Sequence, residues 1–186
     1  MKKILFVCLG NICRSPAAEG VFLATLAARG LGSRFVVDSA GTSGWHEGEC
    51  ADERMIHHAA LRSYDLTTRS RQVRDDDFDN FDLIIAMDES NVRNMQKICG
   101  GRKHHAKYFL MTDFCRKFKG ASEIPDPYYG GGDGYISQLF SLLIDTLSKA
   151  KVNVKVYDLH EWQEIKIGKL DQKKFDLIIL SHVIEH

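Results

Sequence analysis

Several classes of protein are excluded by what this chain lacks. No apolar run approaches the ~20 residues that cross a bilayer as a helix, and nothing in the chain reads as a membrane span. There is no excess of charge: 25 Lys and Arg stand against 25 Asp and Glu. A formal net charge of zero argues against general nucleic-acid binding or a membrane-surface role. There is no disulfide framework, because the five cysteines (Cys8, Cys13, Cys50, Cys99 and Cys115) are odd in number and irregular in spacing. There is no metal-ligand pattern either. His46, His57, His58, His104 and His105 do not combine with the cysteines at zinc-site spacing, and adjacent pairs cannot both face one site from regular structure. They read as surface or satisfied histidines. The opening MKKILFVCLG superficially resembles a signal peptide. Its apolar stretch is only about six residues, against the ~7–15 of an h-region, and Arg14 follows at once, so it reads as a first strand.

What is present is enough for one domain and an extension. At 186 residues with 44% apolar content, the chain can bury a real core. Apolar runs at Lys3–Val7, Arg34–Ser39, Phe81–Met87 and Lys107–Met111 read as strands. Helical spacing predicts helices over Pro16–Arg29, Ala51–Ser63, Asp88–Ile98 and Tyr135–Lys149, with Gly30 closing the first and Asp88 capping the third. Strands alternating with helices predict an α/β fold: a four-stranded parallel sheet, doubly wound with helices on both faces. Ligands of such sheets sit beyond the carboxyl ends of the strands. Cys8, Ser39 and Asp88 all fall there.

The stretch KILFVCLGNICRSP at 3–16 carries the chemistry. Cys8 ends the first strand, and Gly10 and Asn11 tolerate the positive φ of a tight turn. Ser15 and Pro16 read as N-cap and N1 of a helix. This phosphate-binding loop after the first strand aims backbone N–H groups and a positive helix end at one point. A thiol there is expected as a thiolate. Arg14 supplies a planar fork suited to phosphate. Breaking a phosphate ester also needs a proton for the leaving oxygen. Asp126, held between Pro125 and Pro127 beside Tyr128 and Tyr129, is the expected donor.

With CLGNICRSP at 8–16, DSAGTSGWHEG at 38–48, AMDESN at 86–91 and PDPYYGG at 125–131, the chain resembles the low-molecular-weight protein tyrosine phosphatase family over about residues 1–150. The resemblance implies a protein tyrosine phosphatase in which Cys8 is the nucleophile and forms a phosphocysteine. It implies that Arg14 binds the phosphate and that Asp126 is acid, then base. Backbone N–H groups of Leu9, Gly10, Asn11, Ile12, Cys13, Arg14 and Ser15 would cradle the phosphoryl oxygens. Ser15 would hydrogen-bond the thiolate, Asn11 and Ser39 would hold the loop's left-handed turn, and Asp88 would support the site. Trp45, Tyr128 and Tyr129 match the family's aromatic walls, and Cys13 matches a cysteine that can form a reversible disulfide with the nucleophile. The implied partners are a phosphotyrosine-bearing protein or a small aryl phosphate, with inorganic phosphate and other oxyanions as inhibitors. Neither metal nor organic cofactor is implied. A thiolate nucleophile needs a reducing compartment, hence the cytoplasm.

Two positions depart from the family pattern. Thr68 stands in the stretch 66–70, where many members have His, and Cys50 stands where many have Pro. Residues 151–186 form an extension outside the pattern. Their end, FDLIILSHVIEH at 175–186, resembles the strand and loop found midway in class I S-adenosylmethionine-dependent methyltransferases. It has no glycine-rich cofactor loop and too few residues for a Rossmann domain, so a fusion remnant or truncated domain is the expectation. Two other readings of the Cys8 loop stand beside the phosphatase: a thiol-dependent arsenate reductase, and a non-catalytic phosphotyrosine-binding module.

Overall fold

A computed structural model describes residues 1–104, 106–115, 123–128 and 132–148, which lie in the unit Met1–Lys149. Four strands form one parallel sheet: β1 Lys2–Cys8, β2 Phe35–Gly41, β3 Leu83–Ala86 and β4 Lys107–Leu110, in the order β2-β1-β3-β4. The helices are α1 Arg14–Ala28, α2 Glu53–Ala60, α3 Asp77–Asn80, α4 Glu89–Ile98 and α5 Asp133–Leu147. The predicted architecture is thus the observed one. The four-residue α3 was not predicted, because DFDN is too short and polar to carry a 3.6-residue period. The extension at 151–186 and its predicted strands lie outside the described residues.

The central strand explains why the sheet is covered on both faces. Ile4, Leu5, Phe6 and Val7 are all buried, a continuous apolar run rather than an alternation. Leu5 and Val7 join Phe78, Phe81, Ile84 and Met95 in a cluster under α3 and α4. Phe6 meets Phe22 of α1 edge-to-face on the opposite side, with ring centroids 5.9 Å apart. On that side α5 buries Ile136, Leu139, Phe140 and Leu143.

The start of α1 differs from the sequence expectation. The N-cap is Cys13, not Ser15, and no side chain caps the helix. Ser15 lies inside the first turn and its hydroxyl is taken up beneath the loop, as described below. The first turn of α1 also holds no acidic residue. Its dipole end is left without a side-chain counter-charge of its own.

Gly41 at the end of β2 fixes where the loop after β1 can lie. A Cβ at this position would stand 2.8 Å from the Leu9 carbonyl oxygen, 2.9 Å from that of Ser43 and 3.1 Å from the Asn11 nitrogen. All three are backbone atoms, so no side chain can rotate away. Thr42 N and Ser43 N donate to the Cys8 and Leu9 carbonyls, each at 2.9 Å, tying the same chain segments together. Gly41→Ala should therefore displace the loop and cost about 1–3 kcal/mol of stability. Urea unfolding checks this; a wild-type midpoint would contradict the close approach.

Candidate active site

The loop from Cys8 to Ser15 turns at Asn11, whose φ of 55° lies in the left-handed region. The Asn11 side chain supports that turn with three hydrogen bonds. Nδ2 donates to Ser15 Oγ at 2.9 Å and to Ser39 Oγ at 2.8 Å, and Oδ1 accepts from Arg71 N at 2.9 Å. The Cys8 sulfur lies 3.1 Å from Ser15 Oγ and accepts from Asn11 N at 3.3 Å. The loop is propped from outside as well: Ser70 Oγ donates to the Gly10 carbonyl at 3.0 Å. Arg71, which fixes this outer segment, is itself held at 2.8 Å by both Asp38 and Asp77. The sequence reading did not single out the 70–71 segment, because it has no periodicity and its role is defined only by contacts across the fold.

Arg14 is 3% exposed. Nη1 donates to Asp88 Oδ2 at 2.6 Å and to the Ile124 carbonyl at 3.0 Å, while Nη2 donates to Asp126 Oδ2 at 2.5 Å. Its buried Nε has no hydrogen-bond partner among the described residues, which leaves one arm of the fork for an incoming oxyanion. Burial opposes the charge on Arg14, but Cys8, Asp126 and Asp88 outweigh it and hold the guanidinium protonated. Asp88 caps α4 by accepting from Asn91 N at 2.7 Å and also accepts from Ser90 Oγ at 2.6 Å. Burial works against its charge too. The hydrogen bonds from Ser90, Asn91 and Arg14 prevail and hold its carboxyl below the usual range.

These groups open onto a cavity of about 220 Å³ lined by Cys8, Leu9, Gly10, Ile12, Cys13 and Arg14 at its floor and by Ser43, Trp45, His46, Asp126 and Tyr128 around it. Asp126 accepts from Tyr128 N at 3.0 Å, so the proline-bracketed turn aims its carboxylate inward. Trp45 is 82% exposed and Tyr128 45% exposed; both stand as aromatic walls. Tyr129 lies outside the described residues. His46, expected as a surface or satisfied histidine, is satisfied by Glu49, with Nδ1 2.7 Å from Glu49 Oε2, and in addition lines the cavity, its ring edge-to-face with Tyr128 at 6.0 Å. Its cue was the WHEG run, where a loop carrying Trp45 to the cavity brings the next residue with it. Among the other histidines, His58 is buried and His104 stacks on Phe78 and Tyr108, whereas His105 lies outside the described residues.

Cys13 is buried beside the nucleophile position. Burial, then the charges of Asp52 and Cys8, push its thiol far above the ordinary value. Cys8 and Cys13 are both free thiols in this structure. Cys50 is exposed and accepts from Arg69 Nη1 at 2.8 Å. Thr68 Oγ1 donates to Glu19 Oε1 at 2.8 Å, and Ser39 Oγ donates to Glu19 Oε2 at 2.6 Å. Glu19, four residues beyond Ser15 in an Ala-rich helix, was missed because a lone acid in a helical pattern reads as a solvated face.

A thiol at the floor of an N–H-lined loop, a buried guanidinium with a free arm and an adjacent carboxylate define a site for thiol-based phosphoryl chemistry. The family model described as low molecular weight phosphotyrosine protein phosphatase matches residues 3–155, and the chain belongs to that family. The Synechocystis protein slr0328, which carries the low molecular weight protein-tyrosine-phosphatase name, is 46% identical over 152 residues, covering 82% of this chain and 93% of its own. A Streptomyces coelicolor protein of the same name is 42% identical, covering 72% and 82%. Among solved structures, a protein tyrosine phosphatase from Entamoeba histolytica with Hepes in its active site is similar at a TM-score of 0.74 and 42% identity, covering 80% of this chain and 93% of that one. A Drosophila arginine phosphatase is similar at 0.73 and 29% identity, covering 79% and 93%.

The depressed Asp88 carboxyl makes a pH prediction. A carboxylate held below its ordinary value contributes stability that is complete above that value, 3.8 here, and is lost as pH falls through the folded-state value. Asp88→Asn should cost roughly 1–3 kcal/mol near neutrality, and the deficit should shrink as pH falls below about 4. Urea unfolding of both proteins between pH 2 and 7 checks this; a deficit constant across that range would contradict the ion pair.

Proposed function

We propose that the chain is a protein tyrosine phosphatase that hydrolyses phosphotyrosine and related aryl phosphate monoesters through a phosphocysteine. The observation that carries this reading is the direct linkage of Arg14 to Asp126 at 2.5 Å above the Cys8 sulfur in one cavity. The Cys8 thiolate attacks phosphorus in line with the leaving phenolate. The P–O bond breaks, and the Asp126 carboxylic acid gives its proton to the leaving oxygen. In the second step Asp126, now a carboxylate, takes a proton from water as that water attacks the phosphocysteine. Inorganic phosphate departs and the thiolate returns. Backbone N–H groups of Leu9 to Ser15 and the Arg14 fork receive the phosphoryl oxygens as charge builds on them.

The walls support an aromatic leaving group. Trp45 and Tyr128 present flat faces at the mouth, and such faces favour a planar ring over a flexible alkyl phosphate. Inorganic phosphate and other oxyanions compete for the same cradle. Cys13, which lines the same cavity as Cys8, is the candidate partner for a reversible disulfide with an oxidised Cys8. No helix among the described residues is long and apolar enough to cross a membrane. A free thiol nucleophile supports a reducing, cytoplasmic setting. Residues 1–150 are the phosphatase domain in this reading, and 151–186 an extension to it.

Cys8→Ser should reduce turnover of p-nitrophenyl phosphate to background. Asp126→Ala should slow phenyl phosphate by about 10²–10⁴-fold and p-nitrophenyl phosphate much less, because a good leaving group needs little protonation. Equal losses on the two esters would remove Asp126 as the acid. A preference for phosphoarginine over phosphotyrosine would overturn the aryl assignment.

A further inference from the structure

We propose that His46 is a positioning residue for catalysis: its ring, aimed by Glu49, braces the Asp126 turn against the phosphate-binding loop and so keeps the proton donor in register with the Cys8 sulfur. This role rests on Asp126 being the acid.

The reaction places a demand on two separate segments. In-line attack puts the sulfur on one side of phosphorus and the leaving oxygen on the other, so the donor must keep a fixed distance from the loop. Upstream of Asp126 the chain is tied by its backbone. Ile124 N donates to the Met87 carbonyl at 2.8 Å, and the Ile124 carbonyl accepts from Arg14 Nη1 at 3.0 Å. Downstream, the Tyr128 N–H holds Asp126 Oδ1 at 3.0 Å, so a contact that places Tyr128 also places the carboxylate. The His46 ring makes such a contact. It meets the Tyr128 ring edge-to-face, with centroids 6.0 Å apart and planes at 64°, a favourable aromatic geometry.

The imidazole also rests on the loop. A Cβ built on Gly10 would stand 3.1 Å from His46 Cδ2 and 3.8 Å from Nε2, so the ring lies close to the Gly10 backbone because no side chain intervenes. Nδ1, 2.7 Å from Glu49 Oε2, carries a proton, since a carboxylate can only accept. That bond fixes the ring's rotation, with the Cδ2–Nε2 edge toward Gly10. The turn that carries His46 is anchored to the same place. Glu49 N donates to the His46 carbonyl at 2.9 Å, Gly48 N to the Ser70 carbonyl at 2.7 Å and Ser70 N to the Glu49 carbonyl at 2.9 Å. Ser70 Oγ in turn donates to the Gly10 carbonyl at 3.0 Å. Gly10, Ser70, Glu49 and His46 thus close a circuit of contacts, and the imidazole is where that frame touches the Asp126 turn.

The test is the leaving-group dependence of kcat/KM, which reports the steps through P–O cleavage, measured in the full chain on phenyl phosphate and p-nitrophenyl phosphate. His46→Leu removes the ring. The phenyl phosphate value should fall roughly three- to tenfold, one aromatic contact expressed as a rate, and the p-nitrophenyl phosphate value much less, because a good leaving group needs little protonation. A residue that merely lines the cavity would lower both alike. His46→Phe keeps a ring between Gly10 and Tyr128 and should recover most of the phenyl phosphate rate. Glu49→Leu frees the ring to turn and should show part of the His46→Leu loss, whereas Glu49→Gln retains an acceptor for Nδ1 and should lose less. In the Asp126→Ala background, His46→Leu should change the ratio of the two esters no further. Equal losses on both esters, no recovery in His46→Phe, or an undiminished effect in the Asp126→Ala background would overturn the proposal. If His46→Leu does not fold, Glu49→Leu compared with Glu49→Gln on the two esters decides it. Equal losses in Asp126→Ala itself would defeat the acid assignment. Unequal losses there with equal losses in His46→Leu would defeat only the brace.

Discussion

An anion-binding loop has to hold its N–H groups convergent before any anion arrives, and here that constraint falls on one residue. Asn11 adopts a φ of 55° without being glycine, a conformation that costs roughly 1–2 kcal/mol for a residue with a Cβ. Its side chain offsets that cost by tying the turn to Ser15, Ser39 and Arg71 in three different segments. The fold follows from the same demand. Ser39 arrives on β2, adjacent to β1 in parallel register, and Gly41 lets β2 end against the loop, where a Cβ would stand only 2.8 Å from the Leu9 carbonyl oxygen. Arg71 arrives on a crossing segment held by two carboxylates. Loosening any of these would let the loop relax toward an ordinary turn and scatter its donors.

The electrostatics of the site are arranged around desolvated positive charge. Burying a guanidinium costs several kcal/mol unless opposite charge and good geometry accompany it. Arg14 has both, with oxygens of Asp88 and Asp126 at 2.6 and 2.5 Å. The start of α1 adds positive potential without side-chain neutralisation, since Cys13 supplies no cap bond and the first turn has no acid. A conventional N-cap at Ser15 would have used a hydroxyl that is instead needed beneath the sulfur. The local rule for starting a helix and the chemical need at Cys8 compete for one side chain, and the chemistry prevails.

That competition explains what could be read from the chain and what could not. Cys8, Arg14 and the strand before them were legible because a short β-rich run followed by Gly10, Asn11 and a helix start leaves few geometries. The place of Asp126 at the cavity beside Arg14 was legible because Pro125 and Pro127 restrict its turn. The cap at Asp88 was legible by its residue type. Glu19 and His46 were not. Each depends on contacts between distant segments, and each belongs to a residue type whose default reading is a solvated surface. The 70–71 segment had neither periodicity nor composition to mark it, and α3 was too short to show any.

The two carboxylates on Arg14 are alike in distance and unlike in tenure. Asp88 is fixed three ways: by the Asn91 N–H, by the Ser90 hydroxyl and by Arg14, with only 10% of its side chain exposed. Asp126 has the Tyr128 N–H and Arg14, with 24% exposed, on a turn braced by prolines and not buried in a helix cap. An arriving phosphoryl group competes for Arg14 with whichever partner is held more weakly, and that is Asp126. In the mechanism proposed for this site, Asp88 remains as the counter-charge that keeps the guanidinium in place. Asp126 yields its position on the fork to the phosphoryl oxygens and turns to the leaving oxygen. The Nε of Arg14, buried and without a hydrogen-bond partner among the described residues, is a further donor for the phosphoryl oxygens in that mechanism.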